Sequence, residues 1–174
     1  MQAIETIHNG YRFRSRLEAR WAVFFDALGI RYEYEKEGFE FEGYSYLPDF
    51  YLPDYGYFVE IKPPELTDVE YEKLRSFAAN KKLLLIAGTP GEDDYTVEIP
   101  SDDELMNGLT YSFCKGRKCD RLWLAGDSGC FAINCDDCPE PKCGDKQTSE
   151  HFGIGFAYEA ARQARFEHGE RQQL

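Results

Sequence analysis

Apolar positions near the start of the chain recur at the spacing of one helical face. Ser15 followed by Glu18 has the form of a capping box, and Gly29 suits the position after a helix because glycine tolerates a left-handed backbone. The apolar positions between them are Leu17, Trp21, Phe24, Phe25 and Leu28. This pattern predicts a first helix that begins at Ser15 and ends before Gly29.

Strand-like patterns follow. Alternating polar and apolar residues predict a strand over residues 30–35. Two further strands are predicted over 45–52 and 57–61, with a Pro-Asp-Tyr-Gly turn between them. Thr67 and Glu70 repeat the capping-box form and predict a second helix, which runs to about Asn80. The apolar run over residues 83–87 predicts a strand buried on both faces. The predicted order is αβββαβ, a mixed α/β fold with an antiparallel meander and a helical crossover.

The second half of the chain is predicted to add smaller elements. Residues 95–99 are predicted as an edge strand, residues 121–125 and 130–134 as a hairpin about a Gly-Asp-Ser-Gly turn, and residues 156–168 as a helix. We therefore expect a core over residues 1–104, a cysteine-rich module over 105–150, and a C-terminal helix within 151–174 that packs on the core.

Composition and charge limit the functional classes. Apolar residues make up 43% of the chain, which is enough for a packed core. No apolar stretch approaches 18 residues and no apolar leader follows Met1, so we expect no membrane span and a cytoplasmic location. The net charge of −12 is concentrated in residues 33–104, which carry −13, whereas residues 1–32 carry +2. Strong nonspecific DNA affinity is therefore not expected, although a locally basic docking surface near the first helix stays open.

Two carboxylates and a lysine are predicted to share one face of the second hairpin. If Leu52 pairs with Tyr57, Asp49 lies opposite Glu60, and Lys62 lies on the same face at about 4.5–8 Å. Like charges opposed across strands destabilise a sheet, and a divalent cation such as Mg²⁺ removes that penalty. The alternative is a half-exposed polar face that carries one salt bridge.

The stretch Pro-Asp, a short turn and Glu-Ile-Lys resembles the PD-(D/E)XK nuclease superfamily, most of all phage junction resolvases of the endonuclease I type. The resemblance covers roughly residues 11–90. It implies a restriction-endonuclease-like core and Mg²⁺- or Mn²⁺-dependent hydrolysis of DNA, with selectivity for branched DNA. It also implies a homodimer and, for a phage protein, the host cytoplasm. It assigns catalysis to Asp49, Glu60 and Lys62, with Glu18 as a fourth residue that is acidic and near the metal, although the capping box alone also explains Glu18.

Six cysteines cluster within thirty residues, and their spacing predicts a zinc ribbon. Four thiolates at the bases of a hairpin form a tetrahedral structural Zn²⁺ site. The preferred ligands are Cys114, Cys119, Cys135 and Cys138; Cys143 is the alternate for Cys135. Reduced structural cysteines are the alternative interpretation.

Two functions other than a nuclease remain open at this point. One is a non-catalytic zinc-ribbon module that binds nucleic acid or a protein. The other is an interaction protein that acts on host or viral enzymes, which the net acidity favours.

Overall fold

The computed structural model describes residues 5–41, 43–91, 96–100, 110–115, 122–126, 129–132 and 154–166. Within these ranges the chain forms three helices, which are α1 (Arg16–Ala27), α2 (Asp68–Ala78) and α3 (Gly155–Gln163). The strands in chain order are β1 (Thr6–His8), β2 (Tyr11–Phe13), β3 (Glu33–Tyr34), β4 (Phe39–Phe41), β5 (Tyr44–Tyr46), β6 (Phe50–Leu52), β7 (Tyr57–Lys62), β8 (Leu83–Ala87), β9 (Thr96–Glu98), β10 (Thr110–Lys115), β11 (Leu122–Gly126) and β12 (Gly129–Ala132). No described helix has the length and apolar character that crossing a bilayer requires.

Eight of the described strands form one sheet in the order β12-β11-β10-β9-β8-β7-β6-β3. Neighbouring strands run antiparallel except for β7 and β8, which are parallel. A parallel pair needs a crossover connection, and α2 supplies it between β7 and β8. The predicted mixed α/β fold is confirmed at this level, as a multistranded sheet with helices.

Apolar side chains cover both faces of the sheet. Val59 and Ile61 of β7 pack into a cluster with residues of α1 and α3, whereas Phe58 packs with Leu74 and Phe77 of α2. Successive residues of a strand point to opposite faces, so the even-numbered positions of β7 lie on the α2 side. Every residue of β8 is buried, which confirms the prediction for that strand. The side chains of Glu60 and Lys62 therefore lie on the α2 side of the sheet.

α1 begins and ends as the sequence predicts. Ser15 is the N-cap, and its hydroxyl accepts the backbone N–H of Glu18 at 3.2 Å. After the C-cap Leu28, Gly29 has a φ of +68°, a conformation that other residues adopt at a cost. The other half of the capping box differs, because the Glu18 carboxylate accepts the N–H of Arg14 at 3.2 Å and not that of Ser15. The Glu18 carboxylate also accepts a hydrogen bond from the hydroxyl of Tyr34 on β3, so it faces the sheet.

The other two helices differ in how well they were predicted. α2 has the complete capping box of Thr67 and Glu70. α3 ends at Gln163, earlier than the predicted His168, because the ψ of 117° at Ala164 leaves the helical region. Residue 168 itself lies outside the described ranges. α3 packs against α1, and Arg20 on α1 donates to the carbonyl oxygen of Ala161 at 2.8 Å.

Two of the predicted strands were wrong in extent. The single strand predicted over 45–52 is two strands: β5 pairs with β4 in a separate hairpin, and β6 joins the main sheet. The interruption includes Pro48, which has no backbone N–H to donate. The strand predicted over 30–35 is reduced to Glu33–Tyr34, because Glu35 has a φ of +46° and turns the chain.

The later strands extend the sheet. β9 was predicted at an edge, but it pairs with both β8 and β10 and so lies inside the sheet. The predicted hairpin is present as β11 and β12, with Gly126 opposite Gly129 across its turn. β11 also pairs with β10, so this hairpin continues the same sheet.

Candidate active site

The β6–β7 hairpin sets the position of the candidate residues. Its register pairs Leu52 with Tyr57 and Phe50 with Val59, which confirms the predicted register. The backbone ladder stops at that second pair, so Asp49 is not paired through its backbone with Glu60. The Asp49 side chain continues the ladder in its place, because its Oδ2 accepts the N–H of Ile61 at 2.7 Å.

Asp49 is almost fully enclosed, with 4% of its surface exposed. Its second oxygen, Oδ1, lies 3.2 Å from Nη2 of Arg14. Arg14 comes from the residue before the N-cap of α1, and its Nε also contacts Oε1 of Glu35 at 2.6 Å. One oxygen of Asp49 is thus fixed by the backbone and the other by a single arginine.

Glu60 is equally buried, at 4% exposed, and it has two partners on different elements. Its Oε1 lies 2.6 Å from Nζ of Lys62, two residues further along β7. Its Oε2 accepts a hydrogen bond from the Tyr46 hydroxyl at 2.8 Å. Tyr46 belongs to β5, and its ring packs on Phe77 of α2 with centroids 4.7 Å apart. The β4–β5 hairpin therefore holds Glu60 in place.

Glu18 completes the group of buried carboxylates in the described part of the chain, with 7% of its surface exposed. It accepts hydrogen bonds from the hydroxyls of Ser15 and Tyr34, both at 2.6 Å, and from the N–H of Arg14. These contacts join the start of α1 to β3. Glu18 therefore contacts the N-cap Ser15 and also belongs to the group of buried carboxylates.

Charge interactions couple the ionisable side chains of the site to one another. Burial raises the pKa of Asp49 well above its ordinary value, and the charges of Glu60 and Glu18 raise it further. Burial lowers the pKa of Lys62, but the neighbouring Glu60 outweighs that effect, so the pKa of Lys62 is raised overall. Burial and the same glutamate raise the pKa of the Tyr46 hydroxyl, which keeps it a hydrogen-bond donor. Lys62 is thus held as a cation beside Glu60.

The oxygen atoms at this site suit a hard divalent cation as ligands. The available ligand atoms are carboxylate oxygens, which Mg²⁺ and Mn²⁺ prefer. When all are ionised the cluster has a net charge of −2, from two basic and four acidic side chains: Arg14, Lys62, Glu18, Glu35, Asp49 and Glu60. No three His, Cys, Asp or Glu side chains within the described ranges converge into a preformed metal cage. Mg²⁺ is usually held by one or two carboxylates with waters and substrate oxygens, so Asp49 and Glu60 fit it as a pair.

The structure brings together the four residues that the sequence singled out, and it adds others. Glu35, Tyr34 and Tyr46 had not been assigned to the site, and Arg14 belongs to the segment near the first helix for which only a locally basic surface was considered. Tyr34 alternates with polar residues in 30–35, and Tyr46 follows Ser45 in the same way, so a strand face was visible in the sequence. Their distant partners were not, because each hydroxyl reaches a carboxylate on another element.

The predicted zinc ligands fall mostly outside the described ranges. The backbone of Cys114 lies in β10 and that of Cys130 lies in β12. Cys119, Cys135, Cys138 and Cys143 are not among the residues that the structure describes.

A cleft of about 530 Å³ opens elsewhere, beside the C-terminal end of α1. Its lining includes Asp26, Arg31, Tyr32 and Pro53 and none of the clustered carboxylates. The acidic site therefore does not coincide with this cleft.

Comparison with protein-family models, with curated proteins and with solved structures finds no match to this chain.

Proposed function

We propose that this chain is a divalent-metal-dependent nuclease that hydrolyses phosphodiester bonds, with DNA as its substrate. The observation that carries the proposal is the burial of Asp49 and Glu60 beside each other, with Lys62 paired to the second. Charged groups removed from water raise the free energy of the fold unless opposite charge compensates them. A divalent cation supplies the missing charge at this position.

Each residue has a separate part in this proposal. Asp49 and Glu60 hold the Mg²⁺ or Mn²⁺, which when bound polarises the phosphodiester and lowers the pKa of the attacking water. Lys62 stabilises the negative charge that develops on the phosphate oxygens, or orients the water. Glu18 adds negative charge behind the site, held by Ser15 and Tyr34.

The net acidity of the chain is compatible with a phosphate substrate if the phosphate binds only at the metal site. The surplus of negative charge lies within residues 33–104, which include Glu35, Asp49 and Glu60 of the site. A bound divalent cation would offset the net charge of −2 that the cluster carries, at the point where a phosphate enters. Selectivity for branched DNA follows from the resemblance to junction resolvases, and a four-way junction tests it.

Cleavage of supercoiled plasmid and of a four-way junction tests the proposal, each with Mg²⁺, with Mn²⁺ and with EDTA. We expect cleavage only with metal, and a loss of at least about 10²-fold in Lys62→Ala, since transition-state charge stabilisation by one group has this size. Lys36→Ala is the matched control, because Lys36 is a lysine that also pairs with a glutamate, Glu33, outside the cluster. Equal cleavage in EDTA, or in Lys62→Ala, would contradict the assignment.

We also propose one structural Zn²⁺, held by Cys114, Cys119, Cys135 and Cys138, with Cys143 as the alternate for Cys135. The support is the cysteine spacing about the β11–β12 hairpin.

Metal analysis of the purified chain tests the zinc site. About one zinc per chain is expected in the wild type. Cys119→Ser and Cys138→Ser should lose the zinc, and Cys130→Ser should retain it. A wild-type zinc content near zero would rule the ribbon out.

A further inference from the structure

Arg14 occupies the position on Asp49 that a metal ion needs. One Asp49 oxygen is engaged by the N–H of Ile61, and the other faces Nη2 of Arg14 at 3.2 Å. A divalent cation that binds Oδ1 comes within repulsive range of that guanidinium. The arginine and the metal therefore compete for one carboxylate oxygen.

The geometry allows Arg14 to move away without leaving the site. It contacts Asp49 through Nη2 but contacts Glu35 through Nε, at 2.6 Å, so the first contact can break while the second persists. The Arg14 side chain is 56% exposed, in contrast to 5% for that of Asp49. The side chain that must move is thus largely in contact with water.

A guanidinium released at this point has a natural partner. Its planar set of N–H donors matches the oxygens of a phosphate and binds them in a bidentate manner, as a lysine ammonium does not. Lys62 stays paired with the buried Glu60 at 2.6 Å and is the more enclosed of the two cations. Arg14 is therefore the cation of this cluster that is placed to meet a phosphate from solvent.

We infer that Arg14 is a displaceable counter-cation: it holds Asp49 when no metal is bound, leaves it when the metal binds, and then binds a substrate phosphate while still paired with Glu35. The inference rests on the proposed nuclease function and adds a residue that links metal binding to phosphate binding.

Two binding measurements test the inference without relying on catalysis. Mn²⁺ affinity is measured by electron paramagnetic resonance of the unbound ion, and affinity for a duplex oligonucleotide is measured by fluorescence anisotropy in Ca²⁺. In Arg14→Ala we expect Mn²⁺ to bind about three- to tenfold tighter, because a competing unit charge is gone. We expect DNA to bind about tenfold more weakly, with the slope of log affinity against log salt reduced by about one.

Arg31→Ala is the matched control, because Arg31 is an exposed arginine paired with an acidic residue, Asp54, outside the cluster. It should leave both affinities unchanged. Arg14→Gln keeps a hydrogen-bond donor near Asp49 and replaces Arg14→Ala if that variant does not fold; the same two shifts are expected.

Three outcomes separate the possibilities. Tighter Mn²⁺ binding together with weaker DNA binding supports the inference. A wild type that binds Mn²⁺ and cleaves DNA, with Mn²⁺ affinity unchanged or weakened in the Arg14 variants, overturns the inference and leaves the nuclease proposal standing. A wild type that neither binds Mn²⁺ nor cleaves DNA overturns both.

Discussion

Asp49 has exchanged nearly all of its contact with water for two hydrogen-bonding partners, the N–H of Ile61 and the guanidinium of Arg14. These two partners do not offset the effects of burial and of the charges of Glu60 and Glu18. The pKa of Asp49 therefore remains well above its ordinary value. The folded chain therefore binds a proton on Asp49 more tightly than the unfolded chain does. Residues kept in such an unfavourable state are typical of binding and catalytic sites.

This shift predicts how stability depends on pH. The pKa of Asp49 is raised in the folded state, so its contribution to stability is complete below the ordinary value of 3.8 and is lost as pH rises through the raised pKa. Asp49→Asn cannot ionise and escapes that loss. Without metal we expect the variant to melt a few degrees above the wild type at pH 8, where about 1 kcal/mol corresponds to about 2–4 °C in a chain of this size.

Thermal melts at pH 4 and pH 8 with EDTA measure the effect, and the difference should shrink toward pH 4. Adding Mn²⁺ should raise the melting temperature of the wild type and not that of the variant. A variant that melts below the wild type at pH 8 would contradict this account of Asp49.

At the scale of elements, the start of α1 combines a cap with a place in the site. Ser15 caps the helix and also donates its hydroxyl to Glu18. Thr67 and Glu70 make the equivalent contacts at the start of α2, on the surface. The two helix starts therefore form a natural pair for comparison.

Ser15→Ala and Thr67→Ala should each lower the free energy of unfolding by about 1 kcal/mol, because each removes an N-cap. Only Ser15→Ala should weaken Mn²⁺ binding, since only that cap orients a carboxylate of the cluster. Urea denaturation and Mn²⁺ titration measure the two effects. Equal Mn²⁺ affinity in the two variants would show that Glu18 does not contribute to metal binding.

Local rules explain which elements the sequence predicts. The turn at Pro53–Gly56 fixed the register of β6 and β7, because a pairing of Leu52 with Tyr57 determines the later pairs. The N-caps Ser15 and Thr67 located the starts of α1 and α2, because a cap lies next to its helix in the sequence. The β4–β5 hairpin was missed, because the strand predicted over 45–52 ran through Pro48 and no strand was predicted over residues 39–41, where β4 lies. β9 lies inside the sheet because it pairs with β10, and no local sequence pattern predicts that pairing.

The candidate site likewise combines residues that a local pattern predicts with residues that it does not. Asp49, Glu60 and Lys62 share one hairpin, so counting residues brought them together. Their partners Arg14 and Tyr46 come from other segments, and only the assembled sheet shows which carboxylate oxygen each one contacts.

At the scale of the whole molecule, α3 returns to the core far along the chain and packs against α1. Its Tyr158 ring lies 4.7 Å from that of Phe24. Gly91 lies against the same tyrosine: an added Cβ would come within 2.8 Å of Tyr158 Cβ, and the φ of Gly91 is +74°. The loop after β8 therefore limits how α3 packs.

Gly91→Ala should cost about 2 kcal/mol or more, from backbone strain together with a steric clash. Gly10→Ala is the control, because Gly10 has a φ of +82° but no atom within 4 Å of its added Cβ, so it reports strain alone, about 1 kcal/mol. Urea denaturation compares the two. If Gly91→Ala costs no more than Gly10→Ala, the described packing of α3 is wrong.

The rate of plasmid cleavage in Mg²⁺ by Asp49→Asn, relative to identically purified wild type, tests the central claim most directly. The substituted asparagine keeps the size of the side chain and an oxygen for the N–H of Ile61, so the hairpin should remain folded while the charge that holds the metal is lost. We expect a loss of at least about 10²-fold. Cleavage at the wild-type rate would contradict the assignment of this buried cluster as a nuclease centre.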